Sequence, residues 1–306
     1  MTQWKAGGIE LPFGPYLIGP GVCKTPVLTE KWLKIAPVVS GSYTLEKRDG
    51  NTGKVLHPET LEAFLEGGFG LNSYSMPNIG YEAAAEKFVQ FQSEQPLVVS
   101  IAGFSAQEYV DGVAVFSQVK TVSAIELNFG CPNTQGDHPD IMSFNPDAVT
   151  EILFELSKKF IDVPLWLKFS PYSNPAELKR MAEIVNSFTD LLNLTVVTCN
   201  TFADAYAGEG VIDPNDGMAG LSGPAMKQIA LGQVKRFRQY LDPAVDVIGV
   251  GGITTGDDIV DFLDAGAAAV QITSLAHWAG DPKSFQERLL DEKTASRFLQ
   301  LLESQN

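Results

Sequence analysis

Short β-rich apolar runs alternate with helical patterns along the whole chain, and this alternation restricts the fold more than any other property of the sequence. The spacing predicts strands over Tyr16–Gly19, Ala36–Ser40, Leu97–Ile101, Ala124–Asn128, Pro164–Lys168, Leu194–Thr198, Val245–Val250 and Ala268–Ile272. Helical patterns lie between them, over residues 28–35, 80–93, 105–118, 146–160, 175–188, 223–240, 255–265 and 282–303. Ser105, Asn174 and Thr255 stand where helix caps are needed. Eight strand–helix units in one unbroken series favour an α/β chain closed as a (β/α)8 TIM barrel over an open doubly wound sheet. The open dinucleotide-binding sheet needs Gly-x-Gly-x-x-Gly after its first strand, and Gly19-Pro20-Gly21-Val22-Cys23-Lys24 lacks the third glycine. Residues 1–306 therefore read as a single barrel domain.

Two connections exceed plain strand–helix loops. Residues 41–79 follow the second strand and residues 199–222 follow the sixth. Long excursions at the C-terminal ends of strands are where barrel enzymes build substrate sites and lids. Within the first, Phe69-Gly70-Leu71-Asn72-Ser73-Tyr74 suggests an extra strand folding back over the barrel mouth.

The bulk properties narrow the partners. A formal net charge of −15, spread along the chain, argues against nucleic acid or an anionic membrane as partner. An anionic ligand would need local cations or backbone donors to overcome that field. No apolar run approaches the roughly 20 residues that span a bilayer, and Met1–Gly8 lacks the layout of a signal peptide. The sparse set Cys23, Cys131 and Cys199 suggests a reducing cytoplasm and no disulfide framework. His57, His138 and His277 stand far apart, so no metal site is expected.

In a barrel, residues just past the strand ends converge on one site. The fourth strand supplies Glu126-Leu127-Asn128-Phe129-Gly130-Cys131-Pro132-Asn133, in which two carboxamides flank a thiol. Such a set can clamp a planar polar ring while the sulfur moves a proton; a tight turn with a buried cysteine is the plainer reading. Lys168 ends an apolar strand, where it either snorkels to solvent or serves as a fixed cation beside a group that becomes negative. Gly251-Gly252, with Thr273-Ser274 after the next strand, suits a two-loop phosphate cradle. Cys23 and Cys199 read as core or wall residues, Phe129 and Phe169 as barrel-wall packing. The three histidines read as surface or capping residues, with His138 in reserve because it follows the Cys131 loop.

Asn128-Phe129-Gly130-Cys131-Pro132-Asn133 resembles the Asn-x-Ser-Cys-Pro-Asn motif of class 1 (soluble) dihydroorotate dehydrogenases. Thr44-Leu45-Glu46-Lys47-Arg48-Asp49-Gly50-Asn51 and Asn72-Ser73-Tyr74-Ser75-Met76-Pro77-Asn78-Ile79-Gly80 resemble two further motifs of that family, in order. Ser100-Ile101-Ala102-Gly103, the run around Lys168, Asn200-Thr201, Gly220-Leu221-Ser222-Gly223 and Ile248–Gly256 continue the series. The resemblance implies an FMN-dependent oxidoreductase that converts dihydroorotate to orotate in pyrimidine biosynthesis, with Cys131 as catalytic base and hydride passing to flavin N5. It implies substrate contacts from Asn72, Asn128, Asn133, Asn200 and Thr201. It implies flavin contacts from Gly19, Gly21, Gly41, Ser42, Asn72, Asn128, Lys168, Asn200, Ser222, Gly223, Gly251, Gly252, Thr273 and Ser274, with Lys168 at the N1/O2 edge. A homodimer is the family expectation, as is an electron acceptor that is either free or reached through a partner subunit carrying FAD and an iron–sulfur cluster.

The departures concern the substrate. Where the family has a lysine touching flavin and substrate, this chain has Gly41. A substrate carboxylate thereby loses a charge-assisted partner of the kind worth about 1.5–3 kcal/mol. Tyr74-Ser75 replaces Met-Gly, Thr273-Ser274 replaces Gly-Thr and Gly130 replaces serine. Two alternatives follow: an FMN oxidoreductase of the same fold acting on another small cyclic or unsaturated compound, or a phosphate-binding isomerase, lyase or inactive flavin relic.

Overall fold

A computed structural model of the chain describes residues 4–91, 95–132 and 141–304. In chain order its strands are β1 (Trp4–Ala6), β2 (Ile9–Leu11), β3 (Tyr16–Ile18), β4 (Val38–Tyr43), β5 (Leu56–His57), β6 (Gly70–Asn72) and β7 (Leu97–Ile101). They continue with β8 (Val122–Asn128), β9 (Leu165–Phe169), β10 (Leu194–Thr198), β11 (Phe202–Ala205), β12 (Ala219–Ser222), β13 (Asp246–Val250) and β14 (Ala269–Ile272). Eight of these, in the order β3-β4-β7-β8-β9-β10-β13-β14, close into a parallel barrel. They are the eight strands expected from the sequence, because parallel strands covered on both faces must be apolar throughout.

Alternate residues of the barrel strands point into the lumen or out toward the helices. The inward set includes Leu17, Val39, Val98, Ala124, Trp166, Val197, Ile248 and Ala269, and it packs against Ala6, Ile9 and Leu11 of the β1–β2 hairpin. The hairpin thus closes the N-terminal end of the barrel, and the Trp166 indole N–H donates to Gly7 O at 2.8 Å. The outward set forms the larger core with the helices, and Phe129 and Phe169 belong to it, as expected. Ser105, Asn174 and Thr255 accept from the backbone N–H of Glu108, Ala176 and Asp258, so each cap forms where the sequence places it.

The structure corrects several boundaries. β4 runs on to Tyr43, so Gly41 and Ser42 belong to the strand end and not to the loop. The expected helix over 282–303 is two helices, Pro282–Leu289 and Ser296–Glu303. Helices Leu61–Gly67 and Ser274–Ala279 were not expected. The two excursions meet in a small antiparallel sheet, β11-β12-β6-β5, in which Gly220 pairs with Asn72 and Leu221 with Leu71. That sheet stands beside the C-terminal mouth.

Candidate active site

The floor of the site is a polar layer inside an otherwise apolar barrel. Glu126 on β8, Lys168 on β9 and Gln271 on β14 are all buried. Lys168 Nζ donates to Gln271 Oε1 at 3.0 Å and stands 3.7 Å from Glu126 Oε1. Gln271 Nε2 donates to Glu126 Oε2 at 2.7 Å, and Ser100 Oγ donates to Glu126 Oε1 at 2.9 Å. An ammonium and a carboxyl taken out of water this completely hold only while each remains partnered. Burial draws the Lys168 pKa down, and Glu126 is the main opposing influence. Lys168 is therefore a fixed interior cation and does not snorkel. Glu126 and Gln271 were given no role by sequence reasoning; the signal was there, as a charged and an amide residue within two buried strands.

Above this floor runs a chain of short side chains. Ser42 Oγ lies 2.8 Å from Ser100 Oγ, and Asn128 Nδ2 donates to Ser42 Oγ at 2.8 Å. Asn200 Nδ2 donates to Asn128 Oδ1 at 2.9 Å, and the Thr201 N–H donates to Asn200 Oδ1 at 2.7 Å. Four strand ends are thereby linked around the mouth. Cys131 lines the same cavity, three residues beyond Asn128. The approach of its loop to β9 explains Gly130, since a Cβ there would sit 2.7 Å from Ser170 N and 3.0 Å from Asn200 Cβ. Asn133 and His138 lie outside the described residues.

The cavity encloses about 1210 Å³ of space, open solvent at its mouth included. It brings together Gly21, Gly41, Ser42, Asn72, Asn128, Lys168, Asn200, Thr201, Ser222, Gly223, Gly251, Gly252, Thr273 and Ser274, and Cys199 forms part of its wall. Gly19 is not among the lining residues: it packs on Thr273, whose Oγ1 a Cβ at position 19 would strike. Cys23 is fully buried behind the wall. The five lining glycines Gly21, Gly41, Gly223, Gly251 and Gly252 all have positive φ, so the wall stays free of side chains where backbone must approach a ligand closely. Gly41 is closed to substitution on a second count, because a Cβ there would run into Ser100 O.

Two of the motif segments turn out to hold one another. Asn78 Oδ1 accepts from the N–H groups of Thr44 and Gly80 at 3.1 and 2.8 Å, while its Nδ2 donates to Thr44 Oγ1 at 2.8 Å. Arg48 donates to Ser75 O and Ser75 Oγ, and its backbone pairs with that of Asn78. These residues shape the rim and leave the cavity to Asn72 and its neighbours.

One wall was missed in the sequence. Lys24, Tyr74 and His277 line the cavity together. Lys24 Nζ lies 4.1 Å from the Tyr74 ring centroid, and Tyr74 Oη is 3.2 Å from His277 Nε2. His277 is therefore a wall residue and not the surface or capping residue expected. Burial, and then the neighbouring Lys24, push its pKa down to about 4. Nothing in a lone loop lysine or a lone histidine of a short helix marks it as a cavity residue. No Asp or Glu side chain lines the cavity among the described residues, and the one carboxylate beneath it, Glu126, is partnered by Lys168, Gln271 and Ser100.

Comparison with known proteins places the chain in a family. A family model described as dihydroorotate dehydrogenase matches residues 5–292. The dihydroorotate dehydrogenase A (fumarate) of Lactococcus lactis subsp. lactis (strain IL1403) is 32% identical over 297 residues, covering 91% of this chain and 91% of that protein. The dihydroorotate dehydrogenase B (NAD(+)), catalytic subunit, of Geobacillus kaustophilus (strain HTA426) is 32% identical over 243 residues, 78% of this chain and 72% of its own. Among solved structures, a crystal structure of DHODH in complex with ferulenol from Eimeria tenella has a TM-score of 0.74 over 99% of this chain and 85% of that one. At 16% identity that likeness bears on the fold alone. No described helix is long and apolar enough to cross a membrane. The chain belongs to the dihydroorotate dehydrogenase family, flavin-dependent oxidoreductases acting on CH–CH bonds.

Proposed function

We propose that this chain binds FMN across the barrel mouth and oxidises dihydroorotate to orotate. The observation that carries the reading is the convergence of one thiol, Cys131, the linked amides Asn128 and Asn200, and a buried, partnered ammonium, Lys168, on one cavity. The residues suit FMN. The positive-φ glycines leave room for a broad planar group, and Gly251, Gly252, Thr273 and Ser274 line the part of the cavity that would take its phosphate. Gly21, Gly41, Ser42, Asn72, Ser222 and Gly223 would complete its surroundings, with Gly19 supporting Thr273 from behind.

When bound, FMN supplies the acceptor for a hydride from substrate C6. The rest is the chain's own work. Asn72, Asn128, Asn200 and Thr201, with Asn133, orient the substrate ring through its imide and amide edges. Cys131 Sγ takes the C5 proton, so that the C5–C6 double bond forms as C6 gives up its hydride. Lys168, held in place by Gln271 and Glu126, would offset negative charge on the bound cofactor. Water is kept from the floor by the apolar layers beneath it.

Cytoplasmic location and assembly as a homodimer accompany this reading. The acceptor is either a free molecule, such as the fumarate in the name of the L. lactis relative, or NAD(+) reached through a partner subunit with FAD and an iron–sulfur cluster. Gly41 favours a second reading, in which the substrate is another small cyclic or unsaturated compound. The test is the visible spectrum of the purified protein, before and after anaerobic dihydroorotate. A yellow protein that bleaches is expected; an FMN-loaded protein that stays oxidised would exclude dihydroorotate and leave the second reading.

A further inference from the structure

The cavity is lined by two ammonium groups, and among the described residues only one of them has an acidic partner. Lys168 is committed to Gln271 and Glu126. Lys24 forms no ion pair with a carboxylate among the described residues, and the contact it does make is to the face of the Tyr74 ring. A half-buried ammonium placed over an aromatic face, in a wall without carboxylates, is a prepared site for an anion.

Its place in the wall is fixed by backbone. The Gly21 N–H donates to Gly41 O at 2.9 Å, and the Gly41 N–H donates to Cys23 O at 3.4 Å. The loop that carries Lys24 is thus laced to the end of β4, the strand end where position 41 admits no side chain. A cation missing from that strand end can be delivered from the adjacent loop, and Lys24 is the residue next to the Cys23 anchor. Tyr74 then has a use as well, since its ring holds the ammonium at the cavity wall while its hydroxyl is fixed by His277.

We infer that Lys24, held against Tyr74, binds the carboxylate of the substrate and is the residue by which this chain selects an anionic over a neutral ring compound. The inference rests on the proposed oxidation of dihydroorotate for the identity of the carboxylate, but not for the existence of the site. Burial draws the Lys24 pKa down, and a carboxylate arriving beside it favours the charged form again. With Lys168 paired to Glu126, Lys24 is the ammonium of this wall left to meet a carboxylate.

The test uses FMN-loaded protein and follows the flavin absorbance during titration with orotate and with uracil, the same ring without the carboxylate. Lys24→Met should weaken orotate roughly ten- to a hundredfold, leave uracil unchanged and retain FMN on desalting. Lys24→Arg should keep most of the preference for orotate. Equal losses for both ligands, or no loss for orotate, would overturn the assignment. Loss of FMN from Lys24→Met on desalting would also overturn it, by giving the lysine to the cofactor phosphate. If the wild type binds neither pyrimidine, the dihydroorotate reading falls by itself, and benzoate against benzamide decides the role of Lys24. A preference for benzoate that disappears in Lys24→Met sustains the inference, and its absence from the wild type refutes it.

Discussion

Gln271 Oε1 accepts from Lys168 Nζ at 3.0 Å although their strands, β14 and β9, are not neighbours in the barrel. The bond crosses the lumen. With the other end of the same amide on Glu126, it forms a strut between opposite walls just below the mouth. Gln271→Leu keeps the volume and removes both hydrogen bonds, leaving polar groups of Lys168 and Glu126 without a partner in the core. A loss of about 1–3 kcal/mol is expected in urea unfolding. Unchanged stability would mean that water replaces the amide.

Cys131 gives the sharpest kinetic expectation. Cys131→Ala should slow bleaching by dihydroorotate by about 10²–10⁴-fold in anaerobic stopped flow, with FMN content unaltered. Cys131→Ser should fall between the two and gain rate with rising pH, because a hydroxyl ionises far less readily than a thiol. A full rate in the alanine variant would move the base elsewhere.

Gly41→Ala tests how closed the end of β4 is. The added Cβ meets Ser100 O and the residue keeps a φ of 121°. A destabilisation of about 1–3 kcal/mol is expected by chemical unfolding. The same crowding means that Gly41→Lys is no simple restoration of a cation. An alanine variant as stable as the wild type would show that the strand end yields easily.

His277 should make stability depend on pH. Its folded pKa of about 4 lies below the unfolded value of about 6.5. Between those values the unfolded chain takes up a proton that the folded chain refuses. Stability is therefore full above pH 6.5, declines as pH falls toward 4 and levels off below, with a total on the order of 3–4 kcal/mol. Unfolding of the wild type and His277→Gln at pH 7 and pH 5 checks this. The variant should lose less between the two pH values, and equal losses would place the sensitivity elsewhere.

The barrel was readable because eight doubly covered strands leave eight apolar runs, each long enough to see. The β1–β2 hairpin was not, since three-residue strands carry no period. Of the sheet β11-β12-β6-β5 the sequence showed the strand β6, expected within Phe69–Tyr74, but not its partners, because the pairing depends on contact between residues well over a hundred positions apart, such as Asn72 and Gly220. At the site, Lys168, Asn128, Asn200 and Cys131 could be placed because each ends or closely follows a recognisable strand. Lys24, Tyr74 and His277 meet only through the way two loops and a short helix pack. Local sequence does not encode that meeting.

The hairpin beneath the barrel has one more implication. With Ala6, Ile9 and Leu11 sealing the lower end, the described residues leave the C-terminal mouth as the way to the polar floor. A small reductant and a small oxidant that both enter there compete for the same space. Two-substrate kinetics with free acceptors should accordingly show each molecule acting as a competitive inhibitor of the other at high concentration. The taking of turns would be imposed by the architecture of the chain as a whole, whatever the affinity of either visitor.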